Sequence, residues 1–372
     1  MSGEAGEIPG LDPAIDRAPH SRARWGRRSP GRPDVGFGTD RGGATYAALD
    51  LGTNNCRLLV ARPSGEGFRV VDAFSRIVRL GEGVSSSGRL SEAAIGRAIA
   101  ALAICRNKMK NKGVTRARLI ATEACRAAEN GLQFLNRVAD ELGLSLEVID
   151  RETEARLAAT GCTPLIDPEA SGAILFDIGG GSSELVRLAR SQKVRGGPPL
   201  PQIRGWISVP HGVVTLAERY GGVTVTRESY EAMVQEVASL IAPFVRKHGE
   251  DGIDGIHMLG TSGTVTTIAG VHLNLKRYDR NRVDGCWMTA QQINRVIERL
   301  LAMSYEERVA SPCIGAERAD LVLAGCAILE AIRRAFPCPR LRVADRGLRE
   351  GMLVQMMRED GAWGGGNQAA IS

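Results

Sequence analysis

The sequence lacks any long hydrophobic run. No apolar segment in its 372 residues approaches the ~20 residues that a membrane-spanning helix needs, and no apolar signal core stands near the N-terminus. These absences argue against a membrane protein and against export, so we expect a cytoplasmic protein. The hydrophobic content of 43% is enough to bury a full core, and the chain length predicts two domains.

Paired cysteines are absent as well. The eight cysteines are scattered along the chain, and none belongs to a C-x-x-C pair. This spacing argues against a disulfide framework and against a zinc site. We therefore expect reduced thiols, most of them buried.

Acidic residues are absent from one segment near the N-terminus, residues 17–32, which carries six arginines in a chain of net charge +6. Residues 1–44 are rich in Gly, Pro, Arg and Asp and lack apolar periodicity, which predicts a disordered basic arm. Such an arm can hold a polyanion, but a solvated tail without a partner is the favoured interpretation. Residues 358–372 are predicted to form a second flexible tail.

The order of elements between these tails indicates a duplicated α/β unit. Three strands beginning near residue 46 precede alternating helices and strands, and a similar series begins at residue 172. After a buried strand at residues 255–260 we expect only helices. A linker at residues 164–168 divides the chain into domains at residues 45–165 and 166–357, each with a mixed sheet.

One motif occurs once in each half. The segments "ALDLGTNNCRLLV", from Ala48, and "LFDIGGGSSELVR", from Leu175, both run from an apolar stretch through Asp-x-Gly to a second apolar stretch. Each turn ends the first strand of its domain, where ligands collect in α/β sheets. A third Gly/Thr-rich turn, "LGTSGT" from Leu259, also follows a strand. If the domains face one another, all three turns line one cleft.

The three turns carry groups suited to phosphate. Glycine leaves backbone amides accessible, and hydroxyl and amide side chains add donors. Each turn alone is equally consistent with an ordinary β-turn or a packing turn, but the repeated Asp-x-Gly favours phosphate held from two sides, with the aspartates at a divalent cation. The candidate phosphate-binding residues here are Gly52, Thr53, Asn54, Asn55, Gly179, Gly180, Gly181, Ser182, Ser183, Gly260, Thr261, Ser262 and Gly263.

Several carboxylates are candidates for the chemistry. Glu123 directly follows a predicted strand, so we expect its carboxylate to reach the cleft and to orient a water molecule as a general base. Asp50, Asp177 and Glu152 are the candidate metal ligands. The alternative for Glu152 is an ordinary ion pair with Arg156, four residues on.

Two arginines, Arg79 in "VRLGEGV" and Arg126 in "ATEACR", are candidate anion clamps. An arginine side chain in either place is also consistent with a surface ion pair.

In order along the chain, these motifs resemble the exopolyphosphatase and guanosine pentaphosphate phosphohydrolase family, within the actin, sugar-kinase and heat-shock ATPase superfamily. The resemblance runs from about residue 46 to residue 352 and is most specific in "ATEACRAAENG" and "ETEAR". It implies two duplicated ribonuclease-H-like domains with mixed sheets around a central cleft. It also implies Glu123 as the catalytic base, with Asp50, Glu152 and Asp177 in the acidic, metal-handling part of the cleft, and a homodimer.

The sequence departs from the family in two respects. Asn55 stands where the family usually has a small hydroxyl residue. Longer members append a helical metal-dependent domain and a further C-terminal domain. Here the five histidines include no His-Asp pair, and the resemblance ends near residue 355, so we expect a short, two-domain form.

Three functions remain open. An exopolyphosphatase acting on inorganic polyphosphate is favoured, and a pppGpp 5′-phosphohydrolase yielding ppGpp is the alternative. A kinase or a non-catalytic nucleotide sensor on the same fold is the third; the Glu123 and "ETEAR" combination argues against it, because kinases of this superfamily usually place an Asp as base. We expect Mg²⁺ as cofactor, with Mn²⁺ as the alternative, and neither nucleic acid nor membrane as partner.

Overall fold

The computed structural model describes residues 43–192, 196–249 and 255–363. The predicted basic arm lies outside the described residues, apart from its last two positions, as does the chain after residue 363. Across the described helices, none is long and apolar enough to cross a membrane. All eight cysteines fall within the described part, as free thiols, and seven of them are buried.

Strands of two sheets make up the centre of the molecule. In chain order they are β1 (Tyr46–Leu51), β2 (Asn55–Ser64), β3 (Gly67–Ile77), β4 (Arg116–Ala121), β5 (Glu147–Val148), β6 (Gly172–Ile178), β7 (Ser183–Gln192), β8 (Leu200–Val209), β9 (Ile256–Thr261), β10 (Trp287–Thr289) and β11 (Arg340–Ala344).

Helices pack on the faces of these sheets. They are α1 (Val84–Ser87), α2 (Glu92–Asn111), α3 (Glu123–Ala127), α4 (Gly131–Leu142), α5 (Arg151–Cys162), α6 (Val213–Tyr220), α7 (Arg227–His248), α8 (Gly263–His272), α9 (Arg280–Val283), α10 (Ala290–Ala302), α11 (Tyr305–Ala310), α12 (Val322–Ala335) and α13 (Leu348–Glu359). A short 3₁₀ turn, Thr163–Leu165, follows α5.

The two sheets share one topology. The first has the strand order β3-β2-β1-β4-β5, with β1, β2 and β3 antiparallel and β4 and β5 parallel to β1. The second repeats this order as β8-β7-β6-β9-β11 and adds β10 at its edge. The predicted duplication of a mixed-sheet α/β unit is therefore confirmed. We call the two sheets with their loops the first lobe and the second lobe.

The prediction of only helices after the strand at residues 255–260 was wrong. Strand β11 lies inside the second sheet, between β9 and β10, and its leucine and valine side chains are buried. The segment "RLRVA" is short, and its arginines gave it little apolar character, although the alternation of charged and apolar residues is typical of a strand.

The helices that end the two lobes are exchanged. Helix α5 follows the first sheet but packs its small residues against the second, where Ala159 joins a cluster with Leu175 and Val186. Helix α13 ends the second lobe but packs under the first sheet, where Met352 contacts a cluster around Tyr46. The expected boundary at residues 165 and 166 thus separates the two sheets but does not separate the helices that cover them.

Glycine permits the close crossing of these two helices. A Cβ atom at Gly161 would lie 2.0 Å from the carbonyl oxygen of Gly347, and one at Gly351 would lie 2.0 Å from the carbonyl oxygen of Leu157. Both contacts involve rigid backbone, so no side chain larger than hydrogen fits.

The C-terminal segment is structured beyond the expected start of the tail. Helix α13 continues to Glu359, and the Tyr46 hydroxyl donates a hydrogen bond of 2.9 Å to Asp360 Oδ2. The indole N–H of Trp363 donates to the carbonyl oxygen of Gly67 at 2.7 Å. Residues 358–363 therefore belong to the folded core of the first lobe.

Candidate active site

A cleft of about 910 Å³ lies between the lobes, and all three Gly-rich turns contribute to its lining. Residues 52–55 come from the β1–β2 connection and residues 179–182 from the matching β6–β7 connection. Residues 261–263 form the junction of β9 with α8. Because each turn follows a central strand of its sheet, the fold brings together residues more than 200 positions apart.

The two Asp-x-Gly turns have the same internal geometry. In the first turn, the amide of Gly52 donates to the carbonyl oxygen of Asn55 at 2.9 Å; in the second, Gly179 donates to Ser182, also at 2.9 Å. The turns also touch each other. A Cβ atom on Gly180 would lie 2.9 Å from Thr53 Cβ, so glycine is needed for this approach.

The backbone of these turns offers free donors. Among the described residues, no acceptor is bonded to the amides of Thr53, Asn54, Gly180 or Gly181. Buried amides without a partner are rare in folded proteins. Thr53, Asn54 and Gly181 are buried and Gly180 is half-buried. Their four amides, on two abutting turns, form a cradle suited to an anion with several oxygens, such as a phosphoryl group.

The serine hydroxyls of the second turn have other partners. Ser182 Oγ donates to Glu184 Oε1 at 2.9 Å, and Ser183 Oγ donates to the carbonyl oxygen of His211 at 2.8 Å. A hydroxyl carries one proton, so neither serine donates its side-chain proton to phosphate in this arrangement. The donors of the turn are its amides, which corrects the expectation from sequence.

Only part of the third Gly-rich turn, the one that follows β9, contributes groups to the cleft. Gly260 lies inside β9, where a Cβ atom would meet the Phe176 ring at 2.5 Å, and does not line the cleft. Thr261 Oγ1 donates to the carbonyl oxygen of Arg346 at 2.7 Å. Ser262, which has a φ of 122°, keeps a buried hydroxyl without a partner among the described residues. Ser262 Oγ and the α8 N-terminus after it are therefore the free groups here.

Glu123 lies in the cleft at the first position of α3. Its carboxylate accepts hydrogen bonds from two guanidinium groups: Arg126 at 2.6 and 2.9 Å, and Arg151 at 2.8 and 3.3 Å. Burial alone would raise the pKa of Glu123, but the hydrogen bonds from the two arginines outweigh it and lower the pKa. Glu123 is thus a fixed carboxylate that stays ionised at neutral pH.

Asp50 and Asp177 end the two central strands and both line the cleft. Burial raises the pKa of each; that of Asp177 reaches about 6, with the charge of Asp50 contributing and that of Arg57 opposing. Buried carboxylates that repel each other are stabilised by a cation between them.

Two further carboxylates in the cleft were missed by the sequence analysis. Glu154 lies on the cleft side of α5, where burial and the charge of Glu184 raise its pKa. Glu184, on β7, is only 3% exposed, and burial together with Asp177 raises its pKa to about 7. Glu184 stands seven residues after Asp177, directly beyond the turn, and this spacing was the available signal.

The structure does not bring Glu152 to the cleft. Its side chain is 53% exposed and accepts a hydrogen bond of 2.6 Å from Arg156. Two positions along a helix turn the side chain by about 200°, so Glu154, and not Glu152, faces the site. The ion pair that the sequence analysis gave as the alternative is what the structure shows.

Neither predicted arginine clamp lines the cleft. Arg79 pairs with Asp320 of the second lobe through two hydrogen bonds of 3.0 Å and lines a separate cavity. Arg126 lies behind Glu123, where it also donates to the Ile149 carbonyl oxygen and to Glu154. Arg79 thus joins the lobes, and Arg126 holds two carboxylates, Glu123 and Glu154, that line the cleft.

Other arginines provide the positive charge of the cleft. Arg57, opposite Asp50 in the β1–β2 register, forms no ion pair with any described residue. A Cβ atom on Gly263 would lie 3.9 Å both from Arg57 Nη2 and from Arg318 Cζ, so guanidinium groups from both lobes converge at the N-terminus of α8. Arg318 makes one long hydrogen bond, 3.4 Å to Thr267 Oγ1. Unneutralised arginines in a cleft favour an anionic ligand.

The donor set fits a hard divalent cation. No three histidine, cysteine, aspartate or glutamate side chains in the described part of the chain are close enough together to hold a metal on their own. Mg²⁺ does not need such a cage, because it binds through one or two carboxylates and completes its shell with water and substrate phosphate. Asp50 and Asp177, half-buried at the ends of the two central strands and with raised pKa, would provide the two carboxylates.

This fold and this site define a class: two lobes built from one repeated α/β unit, with a cleft between them that carries free backbone amides, carboxylates and arginines. The sequence model of the Ppx/GppA phosphatase family matches residues 59–360, and the chain belongs to that family.

Several relatives agree with this assignment. The chain is 26% identical over 319 residues to a protein from Haemophilus influenzae named "Putative exopolyphosphatase", covering 83% of this chain and 90% of that protein. The fold of the present chain is similar to that in the crystal structure of the Aquifex aeolicus Ppx/GppA family member. The TM-score is 0.70 at 29% sequence identity, and the match covers 85% of this chain and 98% of that chain. An exopolyphosphatase from Cytophaga hutchinsonii shares the fold at a TM-score of 0.77 and 22% identity, with coverage of 85% and 98%.

Proposed function

We propose that this protein is an exopolyphosphatase, which hydrolyses the terminal phosphoanhydride bond of inorganic polyphosphate and releases orthophosphate. The observation that carries the proposal is the meeting of three features in one cleft: a cradle of free amides, an ionised glutamate held by two arginines, and two further arginines, Arg57 and Arg318, that form no ion pair with the described residues. The name of the Haemophilus influenzae relative supports it.

Each feature has a role in this reaction. The amides of Thr53, Asn54, Gly180 and Gly181 hold the oxygens of the terminal phosphoryl group, whose charge spreads over those oxygens in the transition state. Glu123 orients the attacking water and accepts its proton. Because the pKa of Glu123 is lowered, its contribution comes mainly from orientation and less from basicity.

Mg²⁺ bound by Asp50 and Asp177 would supply positive charge to the phosphoryl oxygens. Arg57 and Arg318, whose guanidinium groups converge at the N-terminus of α8, bind phosphate oxygens of the polymer. Glu154 and Glu184 line the same cleft, where burial raises the pKa of each, and a cation bound there would favour their ionised form.

The test of this mechanism is Glu123→Gln. We expect phosphate release from polyphosphate to fall by about 10²-fold or more, the usual loss for a general base, with polyphosphate binding unchanged. The exposed Glu129, which pairs with Arg89 on the surface, provides the matched control Glu129→Gln, for which we expect normal turnover. Wild-type turnover in a folded Glu123→Gln protein would remove Glu123 from this role.

A pppGpp 5′-phosphohydrolase is the second candidate, and one feature favours it. The lining of the cleft also includes apolar side chains, among them Leu59, Phe74 and Ile314. A phosphate chain has no apolar surface to bury there, whereas a purine base does. The same catalytic residues would then release the 5′-terminal phosphate of the nucleotide.

A comparison of substrates separates the two candidates. Orthophosphate release is measured with Mg²⁺ from long-chain polyphosphate, short-chain polyphosphate and pppGpp under identical conditions. We expect higher kcat/KM for polyphosphate; a higher value for pppGpp would assign the protein to the second function. Release from none of the three, with binding intact, would show a non-catalytic sensor.

A further inference from the structure

Arg151 holds the carboxylate of Glu123 in a way that differs from Arg126. Arg126 donates two hydrogen bonds to Glu123, and both go to Oε2. Arg151 donates to both oxygens, from Nη2 to Oε1 at 2.8 Å and from Nε to Oε2 at 3.3 Å. Arg151 is therefore the one residue in the described part of the chain that bridges the two oxygens and fixes the rotation of the carboxylate plane.

The two oxygens of Glu123 are unequal as acceptors. Oε2 receives three of the four N–H groups and has no room for another donor, whereas Oε1 receives only one. A carboxylate oxygen has about two lone-pair directions. Oε1 thus keeps one free lone pair, and this oxygen can accept a proton from water.

The two arginines also differ in their anchorage. Arg126 is 21% exposed and is held by the Ile149 carbonyl oxygen and by Glu154 as well as by Glu123. Arg151 is 40% exposed, at the first position of α5, and Glu123 is its only side-chain partner among the described residues. If Arg151 were removed, Glu123 would keep its contact with Arg126 but would be free to rotate about its last bond.

We propose that Arg151 is a positioning residue for the hydrolysis, which sets the carboxylate plane of Glu123 so that Oε1 presents its free lone pair to the attacking water. This inference rests on the proposed role of Glu123 as the water-orienting base. The effect is on orientation, so it is expected in kcat and not in substrate affinity.

The experiment compares Arg151→Ala and Arg151→Lys with Arg156→Ala, the matched control. Arg156 lies on the same helix and is 63% exposed, and its one ion pair within the described part of the chain is with Glu152. We expect Arg151→Ala to lower kcat by about 10- to 100-fold, the scale for a misplaced catalytic group, with KM within about twofold. Lysine keeps the charge but not the planar fork, so we expect Arg151→Lys to recover only part of kcat. Arg156→Ala is expected to be normal.

Two further measurements separate positioning from other roles. Added guanidinium, below denaturing concentrations, should restore activity to Arg151→Ala and leave Arg156→Ala unchanged. The double variant Arg151→Ala/Glu123→Gln should be no slower than Glu123→Gln alone, because Arg151 acts through Glu123.

Each contrary result has a definite meaning. A normal kcat in Arg151→Ala, a change confined to KM, full activity in Arg151→Lys, absence of rescue, or additive losses in the double variant would overturn the positioning role. If Glu123→Gln itself retains wild-type turnover, the proposed function of Glu123 fails instead, and the two failures are thereby distinguished.

Discussion

Glu184 gives a prediction about stability that follows from burial and charge. The side chain is 3% exposed, accepts hydrogen bonds from Ser182 and Ser208, and has its pKa raised from 4.5 to about 7 by burial and by Asp177. Below pH 4.5 the carboxyl is protonated in the folded and unfolded protein alike. As the pH rises from 4.5 to 7, the unfolded chain loses this proton first, so the folded state loses stability.

The magnitude follows from the pKa difference. A carboxyl pKa that moves from 4.5 to about 7 corresponds to about 3 kcal/mol of folding free energy, fully expressed above pH 7. Glutamine keeps an oxygen that accepts from both serine hydroxyls but carries no charge. We therefore expect Glu184→Gln to raise the free energy of unfolding at pH 8 by about 3 kcal/mol, and at pH 5 by less than about 1 kcal/mol.

The assay is urea unfolding, monitored by circular dichroism, at pH 5 and at pH 8. Divalent cations are left out, because a bound cation would offset the charge of Glu184. The exposed Glu66, in the turn between β2 and β3, provides the control Glu66→Gln, for which no such pH-dependent gain is expected. A stability gain of Glu184→Gln that is equal at both pH values, or no gain at pH 8, would refute the reasoning.

Three other substitutions have defined outcomes. Gly180→Val should push the two Asp-x-Gly turns apart, since even its Cβ would lie 2.9 Å from Thr53 Cβ, and should abolish phosphate release with little change in the circular dichroism spectrum. Gly161→Ala should lower the melting temperature, because its Cβ would lie 2.0 Å from the carbonyl oxygen of Gly347, an overpacking cost of about 1–3 kcal/mol. Arg79→Ala should leave KM for polyphosphate unchanged, since Arg79 lies outside the cleft, and should reduce stability by less than about 1 kcal/mol; a raised KM would restore Arg79 as a phosphate ligand.

Patterns that depend on local chemistry were predicted well from the sequence. The two Asp-x-Gly turns and the strands around them follow from apolar alternation and turn residues, both of which act over a few positions. The placement of Glu123 in the cleft follows in the same way, because a residue directly after a central strand lies at the edge of the sheet where the turns meet.

Details of side-chain direction were not predictable in this way. Glu152 and Glu154 both stand in "RETEAR", and only the orientation of α5 against the second lobe decides which of them faces the cleft. Likewise, Ser182 is a reasonable candidate donor to phosphate in the sequence, but in the structure its hydroxyl donates its hydrogen bond to a neighbouring carboxylate, Glu184. Hydrogen-bond competition of this kind depends on which groups the fold places within about 3 Å.

The sequence by itself determined that this chain repeats one α/β unit, that each copy carries an Asp-bearing turn, and that a glutamate follows a strand in the first copy. These features are local, and propensity and periodicity encode them. Only the tertiary structure decided that α5 and α13 are exchanged between the lobes, that Arg79 joins the lobes while Arg57 and Arg318 enter the cleft, and that Arg151 holds Glu123. Those contacts join residues far apart in the chain, and their partners are chosen by packing and by the cost of leaving a buried charge unpaired.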